Sequence, residues 1–599
     1  MGLTVFKEML YKEGNLQGKM GNSKCVKEIM FITILVMIVG FLIAVSFDFR
    51  NFDISMPILY AGGDDYSVYK NAKMLDENTG WVFETERLGA PYGAKYLDFM
   101  PDSLMNVDNL LIKVMGIFTS DVVTNVNLTV FFLFFLIAGT AYYCLRKMGV
   151  RGEFAITGAV VFDFIYYHYV RLIGHFSLSA YEFVPLSVLL CIWLWQDDRI
   201  FDGGRQFFKY KKNYIILLFS LLIANNGIAY YPFFTCLFLG ITGVSKAIKE
   251  KRLRPLAKMF GMIASVAVFM LISLVPCLVY QFRNGSLLTS RSVLDSELYA
   301  MKIIQLLVPY KDYGIKKMQE FHEEYNNVFV FTEAHASYLG LVAGLGFLFL
   351  LFYVFCKKHE KNNFTNILLL LCELNLFAVL FATVGGFSSI FSNFVTGLIR
   401  GVNRVSIFIA FFGIAALCIF MTDFIKGRRK KWVKAVGCIL FAAIVVLGLY
   451  DQIPGEITGN SVAFAAEKKS DSEFIQRIEG EVAKGAMIYQ LPYHPYPEGG
   501  PVNNMADYHL LVGFLYSDTL RWSYEGSKGR EGDLWNQSVS ALPPDQMVTS
   551  VKEKGFAGIY IDKRAYNDAE FGNLISTLNS CIGKEPILSE NGNLYFYKF

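Results

Sequence analysis

Two adjacent carboxylates, Asp64 and Asp65, are the side chains best suited to acid–base chemistry in this chain. They follow two glycines in the run Gly62-Gly63-Asp64-Asp65, soon after the first long apolar segment. Glycine lets the backbone approach a substrate closely, and a positioned carboxylate can take a proton from an attacking hydroxyl. The pair therefore predicts a general base, or a ligand for Mg²⁺ or Mn²⁺, at a membrane surface. The alternative is a turn in which Asp64 caps a helix.

A second group of candidates consists of cations in segments that are otherwise poor in lysine and arginine. Positive charge outside the cytoplasmic loops opposes the usual bias of membrane proteins. Such a cation needs an anionic partner, and a lipid-linked phosphate meets that need. We therefore expect these residues to bind a donor phosphate: Arg171, His175, Arg291 and Arg404. The alternatives are a salt bridge from Arg404 to Asp64, Asp65 or Glu333 and, around Arg171, a polar turn at the level of the lipid headgroups.

Aromatic and basic residues are interleaved in the last part of the chain. Trp and Tyr offer flat apolar faces with polar edges, which suit contacts with a sugar. Acceptor or sugar contacts are therefore expected from the following residues, of which the first belongs to an earlier segment: Glu333, Arg521, Trp522, Tyr524 and Arg530. The alternative is that these C-terminal loops pack the end of the chain onto the rest of the protein.

The composition is that of a membrane protein. Of 599 residues, 54% are hydrophobic and 18% are charged, and the mean hydropathy is +0.38, whereas soluble domains have about 25% charged residues. These values exclude a soluble cytosolic enzyme and a disordered chain. The net charge of +4 gives no support for a nucleic-acid partner. Because no P-loop or dinucleotide motif occurs, no bound nucleotide is expected.

Hydropathy predicts about eleven membrane-spanning helices. The apolar runs begin near Ile29, Val122, Phe154, Ala180, Tyr214, Tyr231, Met259, Ser337, Phe364, Val405 and Ala435. Every second connection is rich in lysine and arginine, which places the N-terminus in the cytoplasm. With an odd number of spans, the C-terminal region is then outside.

These segments predict three regions. Residues 1–28 form a cytoplasmic N-terminal segment, and residues 29–450 form a polytopic membrane domain with large external loops at 48–121 and 282–335. Residues 451–599 form an external α/β domain, with strands expected at Ala486–Leu491, Phe556–Ile561 and Asn593–Phe599 and a helix over Pro544–Glu553. The expected fold class is a mainly α polytopic membrane helix bundle with a C-terminal extracytoplasmic α/β domain.

The arrangement resembles the GT-C-type glycosyltransferases, multi-span enzymes that use polyprenyl-phosphate sugars. Relatives include protein O-mannosyltransferases and the transferase that adds aminoarabinose to lipid A. The resemblance rests on the cytoplasmic N-terminus, the number of spans, the acidic motif in a large first external loop and the external C-terminal domain. More narrowly, five motifs look like those of bacterial membrane proteins of surface-polysaccharide loci: Gly62-Gly63-Asp64-Asp65, Arg87-Leu88-Gly89-Ala90-Pro91-Tyr92-Gly93, His175-Phe176-Ser177-Leu178, Arg521-Trp522-Ser523-Tyr524 and Lys528-Gly529-Arg530.

The resemblance implies an inverting sugar transfer on the external face of the bacterial cytoplasmic membrane. The donor would be a polyprenyl-phosphate-linked sugar and the acceptor a cell-surface glycan or a lipid-linked molecule. An Asp would act as general base, and cations would stabilise the departing phosphate. The acid pair here is Gly-Gly-Asp-Asp, not the Asp-Glu or Asp-x-Asp of better-known relatives, so the identity of the base and the need for a metal ion stay open.

Two other functional classes remain. One is a lipid-linked sugar flippase or another transporter, which would need polar residues within its spans. The other is a non-catalytic membrane protein that organises a surface-polysaccharide machine.

Overall fold

The protein is predominantly helical. The structure, a computed structural model, describes residues 21–77, 81–98, 106–226, 229–287, 292, 294–309, 315–326, 332–356, 363–427, 430–454 and 457–599. The helices of the first part are α1 Gly21–Ser46, α2 Asp64–Glu77, α3 Val107–Met115, α4 Val122–Lys147, α5 Gly152–Asp163, α6 Tyr166–Arg171, α7 Phe176–Ser179, α8 Val184–Gln196, α9 Arg205–Lys209, α10 Lys212–Ala224, α11 Tyr230–Glu250, α12 Arg254–Asn284 and α13 Asp295–Leu298.

The remaining helices complete the bundle and continue into the C-terminal region. They are α14 Lys316–Asn326, α15 Gly340–Tyr353, α16 Asn363–Ala382, α17 Phe387–Phe394, α18 Ser406–Gly427, α19 Lys431–Gln452, α20 Ile457–Glu481, α21 Val512–Tyr516, α22 Glu531–Ser540, α23 Pro544–Glu553 and α24 Asp568–Ile582. Short 3₁₀ turns occupy Ile303–Leu306, His335–Ser337, Val402–Val405, His509–Leu511 and Lys563–Ala565.

Seven helices of the described residues are long and apolar enough to cross a membrane, by length and composition. They are Cys25–Ser46, Val122–Lys147, Tyr230–Glu250, Arg254–Asn284, Phe364–Ala382, Val402–Gly427 and Lys431–Gln452. Three shorter apolar helices, α8, α10 and α15, accompany them. The apolar runs expected from the sequence coincide with these ten helices and with α5. The prediction of a polytopic helix bundle is therefore confirmed, while the orientation and the domain boundaries stay predictions.

Local sequence explains where several helices begin and end. The carboxylate of Asp121 accepts the N–H of Thr124 at 2.8 Å, so α4 starts with a capped first turn. Arg146 and Lys147 end the same helix, where cations favour the C-terminal end of the helix dipole. In α24, Asn567 and Glu570 form a reciprocal capping box.

The C-terminal region contains a mixed five-stranded sheet. A two-stranded hairpin, β1 Glu84–Thr85 and β2 Ala94–Lys95, precedes it in the chain; the sheet strands are β3 Met487–Leu491, β4 Arg521–Trp522, β5 Phe556–Asp562, β6 Ile587–Leu588 and β7 Leu594–Lys598. The spatial order is β4-β3-β5-β7-β6, with β3 parallel to β4 and β5, and β7 antiparallel to β5 and β6. The three expected strands and helix α23 are confirmed.

The segment between α1 and α4 continues this sheet beyond β4. The N–H of Trp522 donates to the carbonyl of Arg87 at 2.8 Å, and the N–H of Ala90 donates back to the carbonyl of Trp522 at 2.9 Å. Between them Gly89 has a φ of +64°, and a Cβ there would lie 2.8 Å from the carbonyl oxygen of Gly93. The segment satisfies backbone groups that an edge strand would otherwise leave unpaired, so it shares one hydrogen-bonded sheet with the C-terminal region.

Two hydrophobic cores follow from this arrangement. The larger core runs through the apolar helices and reaches the segment between α1 and α4 and the sheet, where it includes Tyr66 and Trp522. The smaller core lies between the sheet and helices α22 to α24, with Tyr489, Val551 and Ile559 at its centre.

Candidate functional site

Four cationic or ionisable side chains from three parts of the chain meet beside the ends of α5 and α18. We call Arg171, His175, His335 and Arg404 the cation cluster. Helix α6, which ends at Arg171, contacts the 3₁₀ turn His335–Ser337. Asn403, next to Arg404, donates its side-chain amide to the carbonyl of Glu333 at 2.6 Å. The three parts of the chain that carry these residues lie far apart in the sequence, and the packing of the helices brings them together.

Arg171 occupies a buried and strained position. The residue is 7% exposed, its Nε has no hydrogen-bond partner, and its guanidinium carbon lies 5.5 Å from the ring centroid of Tyr167. The next residue, Leu172, has a φ of +24°, and such conformations cost about 1–3 kcal/mol and concentrate at functional sites. A buried charge without a counter-ion is unfavourable, so an anionic ligand would stabilise this arrangement.

Arg404 is positioned by stacking instead of by an acid. Its guanidinium lies over the ring of Tyr230, 4.0 Å from the centroid. A Cβ at Gly401 would come within 2.7 Å of the same guanidinium, so the glycine makes room for the side chain. In the described part of the chain, neither Arg404 nor Arg171 forms an ion pair, and the alternative of a salt bridge from Arg404 is not observed there.

Burial and the neighbouring positive charges both lower the pKa of His175. Burial is the largest cause of its fall to about 3, and the charges of Arg171, Arg404 and His335 add to it. The pKa of His335 is also lowered, first by burial and then by Arg171. Both imidazoles are therefore neutral at neutral pH, leaving the two arginines as the charges available to an anion.

Arg400, four residues before Arg404, forms ion pairs, unlike the two arginines of the cation cluster. Arg400 lies 3.5 Å from Asp295 and 4.0 Å from Glu498, so it has acidic partners on two elements. Glu333 is half-buried, and its backbone is tied to Asn403 beside the cluster. Arg291, also expected to bind the donor phosphate, lies outside the described residues.

The acid pair begins helix α2, and its two members have different surroundings. Asp65 is buried, and its carboxylate accepts the N–H groups of Ala61 and Gly63, each at 2.8 Å. Burial raises the pKa of Asp65, although these hydrogen bonds act in the opposite direction. Gly62 has a φ of +72°, and a Cβ there would overlap the ring of His509. Asp65 thus stabilises the turn through its hydrogen bonds to the backbone, whereas Asp64 is exposed.

The turn before the acid pair packs against the segment that carries the cations. A Cβ at Gly174, next to His175, would lie 3.0 Å from the side chain of Leu59. The hydroxyl of Tyr169 also donates to Ser46 at the end of α1, at 2.8 Å. These contacts connect the segment between α1 and α4, at a point five residues before Asp64, with the cation cluster.

The C-terminal residues expected to contact a sugar are bonded partly within the C-terminal region and partly to the segment between α1 and α4, in which Gly89 donates its N–H to the carbonyl of Tyr524. The indole N–H of the fully buried Trp522 donates to Ser517 at 2.9 Å, and buried Tyr524 donates to the carbonyl of Asp507 at 3.1 Å. Arg521 lies 3.4 Å from Glu86. These contacts match the alternative in which the loops pack the end of the chain onto the rest of the protein, and a sugar-binding role for them stays a prediction.

The most buried ion pair of this contact includes residues that the sequence analysis does not single out. Lys70 is 1% exposed, and its ammonium lies 3.3 Å from Glu525 and 3.2 Å from the hydroxyl of Tyr496. Tyr96 also donates to Glu525. Sequence separations above 400 residues leave no local pattern that could reveal the pair.

We call the contact between the segment that links α1 to α4 and the C-terminal region (residues 451–599) the seam. Its charged pairs include Lys70 with Glu525, Arg521 with Glu86, Arg530 with Asp98, and Lys468 with Asp121. Arg530 makes a two-point contact, with distances of 2.5 and 3.0 Å to the carboxylate of Asp98.

A divalent metal ion does not fit the acid pair as it stands. Mg²⁺ needs several oxygen ligands in near-octahedral geometry, and both carboxylate oxygens of Asp65 already accept backbone N–H groups. Among the residues that the structure describes, no group of three His, Cys, Asp or Glu side chains is arranged to hold a metal ion.

Comparisons with known proteins give a family and three structural similarities. The family model described as "Domain of unknown function (DUF6311)" matches residues 76–390, and no curated protein matches the sequence. ArnT from Cupriavidus metallidurans bound to undecaprenyl phosphate is 10% identical, with a TM-score of 0.44 over 95% of this chain and 97% of that chain. The oligosaccharyltransferase AglB from Archaeoglobus fulgidus, in complex with an inhibitory peptide and a dolichol-phosphate, is 11% identical, with a TM-score of 0.45 over 96% and 74%. Arabinofuranosyltransferase AftD from Mycobacteria is 12% identical, with a TM-score of 0.40 over 88% and 36%.

Proposed function

The chain belongs to the DUF6311 family, and we propose that it is a membrane glycosyltransferase that uses a polyprenyl-phosphate-linked sugar. The acceptor is a cell-surface glycan or a lipid-linked molecule at the external face of the membrane, and the transfer inverts the anomeric centre. The proposal locates the enzyme in the bacterial cytoplasmic membrane with an external C-terminal region.

The observation that carries the proposal is the pairing state of the cation cluster. Arg171 ends the short helix α6, and Arg404 lies in the 3₁₀ turn before the apolar helix α18. Neither forms an ion pair among the described residues. A guanidinium is suited to bidentate binding of phosphate, and an anion bound there would restore charge balance at a buried site. A polyprenyl phosphate supplies the anion together with a lipid chain that the neighbouring helices can accommodate.

Asp64 is the general base in this proposal, and Asp65 is a positioning residue. The carboxylate of Asp65 is occupied by the backbone of the turn, whereas Asp64, the preceding residue and the first of α2, is exposed. Asp64 takes the proton of the acceptor hydroxyl as the oxygen attacks the anomeric carbon. The bond to the phosphate oxygen breaks, and the two arginines stabilise the negative charge that develops on the departing polyprenyl phosphate.

A transporter and a non-catalytic organiser make different demands on these residues. A flippase needs phosphate binding but no proton acceptor, so substitution of Asp64 would leave its activity intact. An organiser needs neither group. The unpaired arginines favour a protein that binds a phosphate over one that only assembles partners.

Sugar transfer by the purified protein from a polyprenyl-phosphate donor to isolated surface glycan tests the proposal. Asp64→Asn should lower turnover about 10²- to 10⁴-fold, the usual contribution of general-base catalysis. Asp76→Asn is the matched control, because Asp76 is an exposed carboxylate on the same helix. If Asp64→Asn and the control transfer sugar equally well, Asp64 is not the base. If the wild-type protein binds the donor but transfers no sugar, the results favour a transporter.

A further inference from the structure

A charged cavity lies away from the cation cluster, where the loop between α8 and α10 meets the start of α12. Its volume is about 380 Å³, and its lining includes Asp202, Gln206, Arg254 and Lys258. Arg254 lies 2.8 Å and Lys258 3.3 Å from the same carboxylate oxygen of Asp202. Two cations share one acid, so the lining keeps one net positive charge.

The surface around this cavity adds cations without acidic partners. Five exposed basic side chains have no ion pair among the residues that the structure describes: Arg205, Lys209, Lys211, Lys251 and Arg252. The positive potential of the cavity is therefore reinforced on two sides, by the α8–α10 loop and by the turn between α11 and α12.

Large apolar side chains are exposed among these cations. Phe208, Ile248, Leu253 and Phe260 are 68%, 70%, 79% and 63% exposed. Phe208 lies in the short helix α9, just before α10, and Ile248 lies near the end of α11. Leu253 immediately precedes α12, and Phe260 lies in its second turn. All four side chains thus flank the ends of the apolar helices α10, α11 and α12. Unpaired cations alternating with exposed apolar groups match a membrane surface, where apolar groups enter the acyl region and cations meet anionic headgroups.

We infer that this cavity binds the phosphate of an anionic phospholipid headgroup. Arg254 and Lys258 contact the phosphate, Gln206 donates a hydrogen bond to it, and the surrounding apolar side chains contact the acyl chains. Asp202 competes with the phosphate for both cations and so limits the affinity. The site is separate from the cation cluster and does not depend on the proposed glycosyl transfer.

The opposing roles of Arg254 and Asp202 define the test. Native mass spectrometry of the purified full-length protein would measure binding of dioleoyl-phosphatidylglycerol and dioleoyl-phosphatidylcholine. We expect phosphatidylglycerol to bind more tightly, and Arg254→Gln to weaken this binding about fivefold, since one cation near an anionic lipid contributes about 1 kcal/mol. Asp202→Asn should strengthen it by a similar factor. Lys469→Gln, at an exposed lysine of α20, should leave the affinity for both lipids unchanged.

Inorganic phosphate distinguishes the lipid from a free anion. Millimolar phosphate should not displace phosphatidylglycerol, because it lacks the acyl chains that the exposed apolar groups contact. Displacement by phosphate at these concentrations would overturn the assignment to a lipid. Equal binding of the two lipids, or weaker phosphatidylglycerol binding in both the Arg254 and Asp202 variants, would overturn the site itself.

Discussion

The seam and the cation cluster use charged residues in opposite ways. In the seam, Lys70, Arg521 and Arg530 each meet a carboxylate on the other side of the contact. In the cluster, Arg171 and Arg404 stack on tyrosine rings and have no acid partner among the described residues. A paired buried charge holds structure together, whereas an unpaired one leaves binding capacity for a ligand. Substitutions should therefore affect stability in the seam and activity in the cluster.

The largest expected effect is on stability and concerns Lys70. Lys70→Met leaves Glu525 buried without its cation, and breaking a buried pair costs about 3–5 kcal/mol. Urea unfolding in mild detergent, followed by tryptophan fluorescence, measures the change. The double variant Lys70→Met/Glu525→Gln should regain part of the loss, because the uncompensated charge is gone. Unchanged stability in the single variant would show that the seam does not depend on this pair.

Asp471 makes the stability of the seam dependent on pH. It is fully buried, accepts the hydroxyl of Tyr60 at 2.9 Å, and leaves its second oxygen without a partner. Burial raises its pKa from 3.8 to about 7, although Arg564 and the Tyr60 hydrogen bond lower it. The unfolded chain therefore releases this proton near pH 4, and the folded chain releases it near pH 7. As the pH rises through this interval, the free energy of unfolding falls by up to about 4 kcal/mol.

Comparison of variants isolates this contribution. Asp471→Asn should remove the fall in stability between about pH 4.5 and pH 7.5, as measured by urea midpoints at several pH values. Glu473→Gln, at an exposed carboxylate of the same helix, is the control and should keep the wild-type profile. An identical pH profile for the wild type and Asp471→Asn would contradict the raised pKa.

In the cluster, the expected effect is on the use of the donor. Arg404→Ala or Arg171→Ala should lower kcat/KM for the donor about 10- to 100-fold, since hydrogen bonds to charged groups contribute about 1.5–3 kcal/mol. The unfolding midpoint should stay near that of the wild type. The hypothesis fails if Arg404→Ala lowers stability and leaves the specific activity unchanged, because Arg404 would then be structural.

The smallest effect is expected at the rim of the seam. Arg521 pairs with Glu86, whose side chain is mostly exposed, and exposed ion pairs contribute about 0–1 kcal/mol. Arg521→Ala should therefore change the unfolding free energy by at most about 1 kcal/mol and leave turnover intact. A large loss of turnover at normal stability would instead support the sugar-contact role predicted for this residue.

Much of the architecture follows from patterns that are local in sequence. Apolar runs locate the helices of the bundle because a spanning segment must satisfy its own backbone hydrogen bonds. Short β-prone runs likewise predict β3, β5 and β7, and Pro543–Pro544 marks the start of α23. The cations Arg171 and Arg404 also stand out locally, since they interrupt segments poor in basic residues.

The partners of these side chains are settled only by tertiary packing. Motifs alone do not distinguish Arg530, which pairs with Asp98, from Arg404, which meets no acid among the described residues. Nor do they separate the two members of the acid pair, of which Asp65 turns inward to its own backbone. Composition and periodicity determine which segments enter the membrane, because those forces act along neighbouring residues. Contacts between distant segments decide which charges are neutralised, because an ion pair depends on distance in space, not on position in the chain.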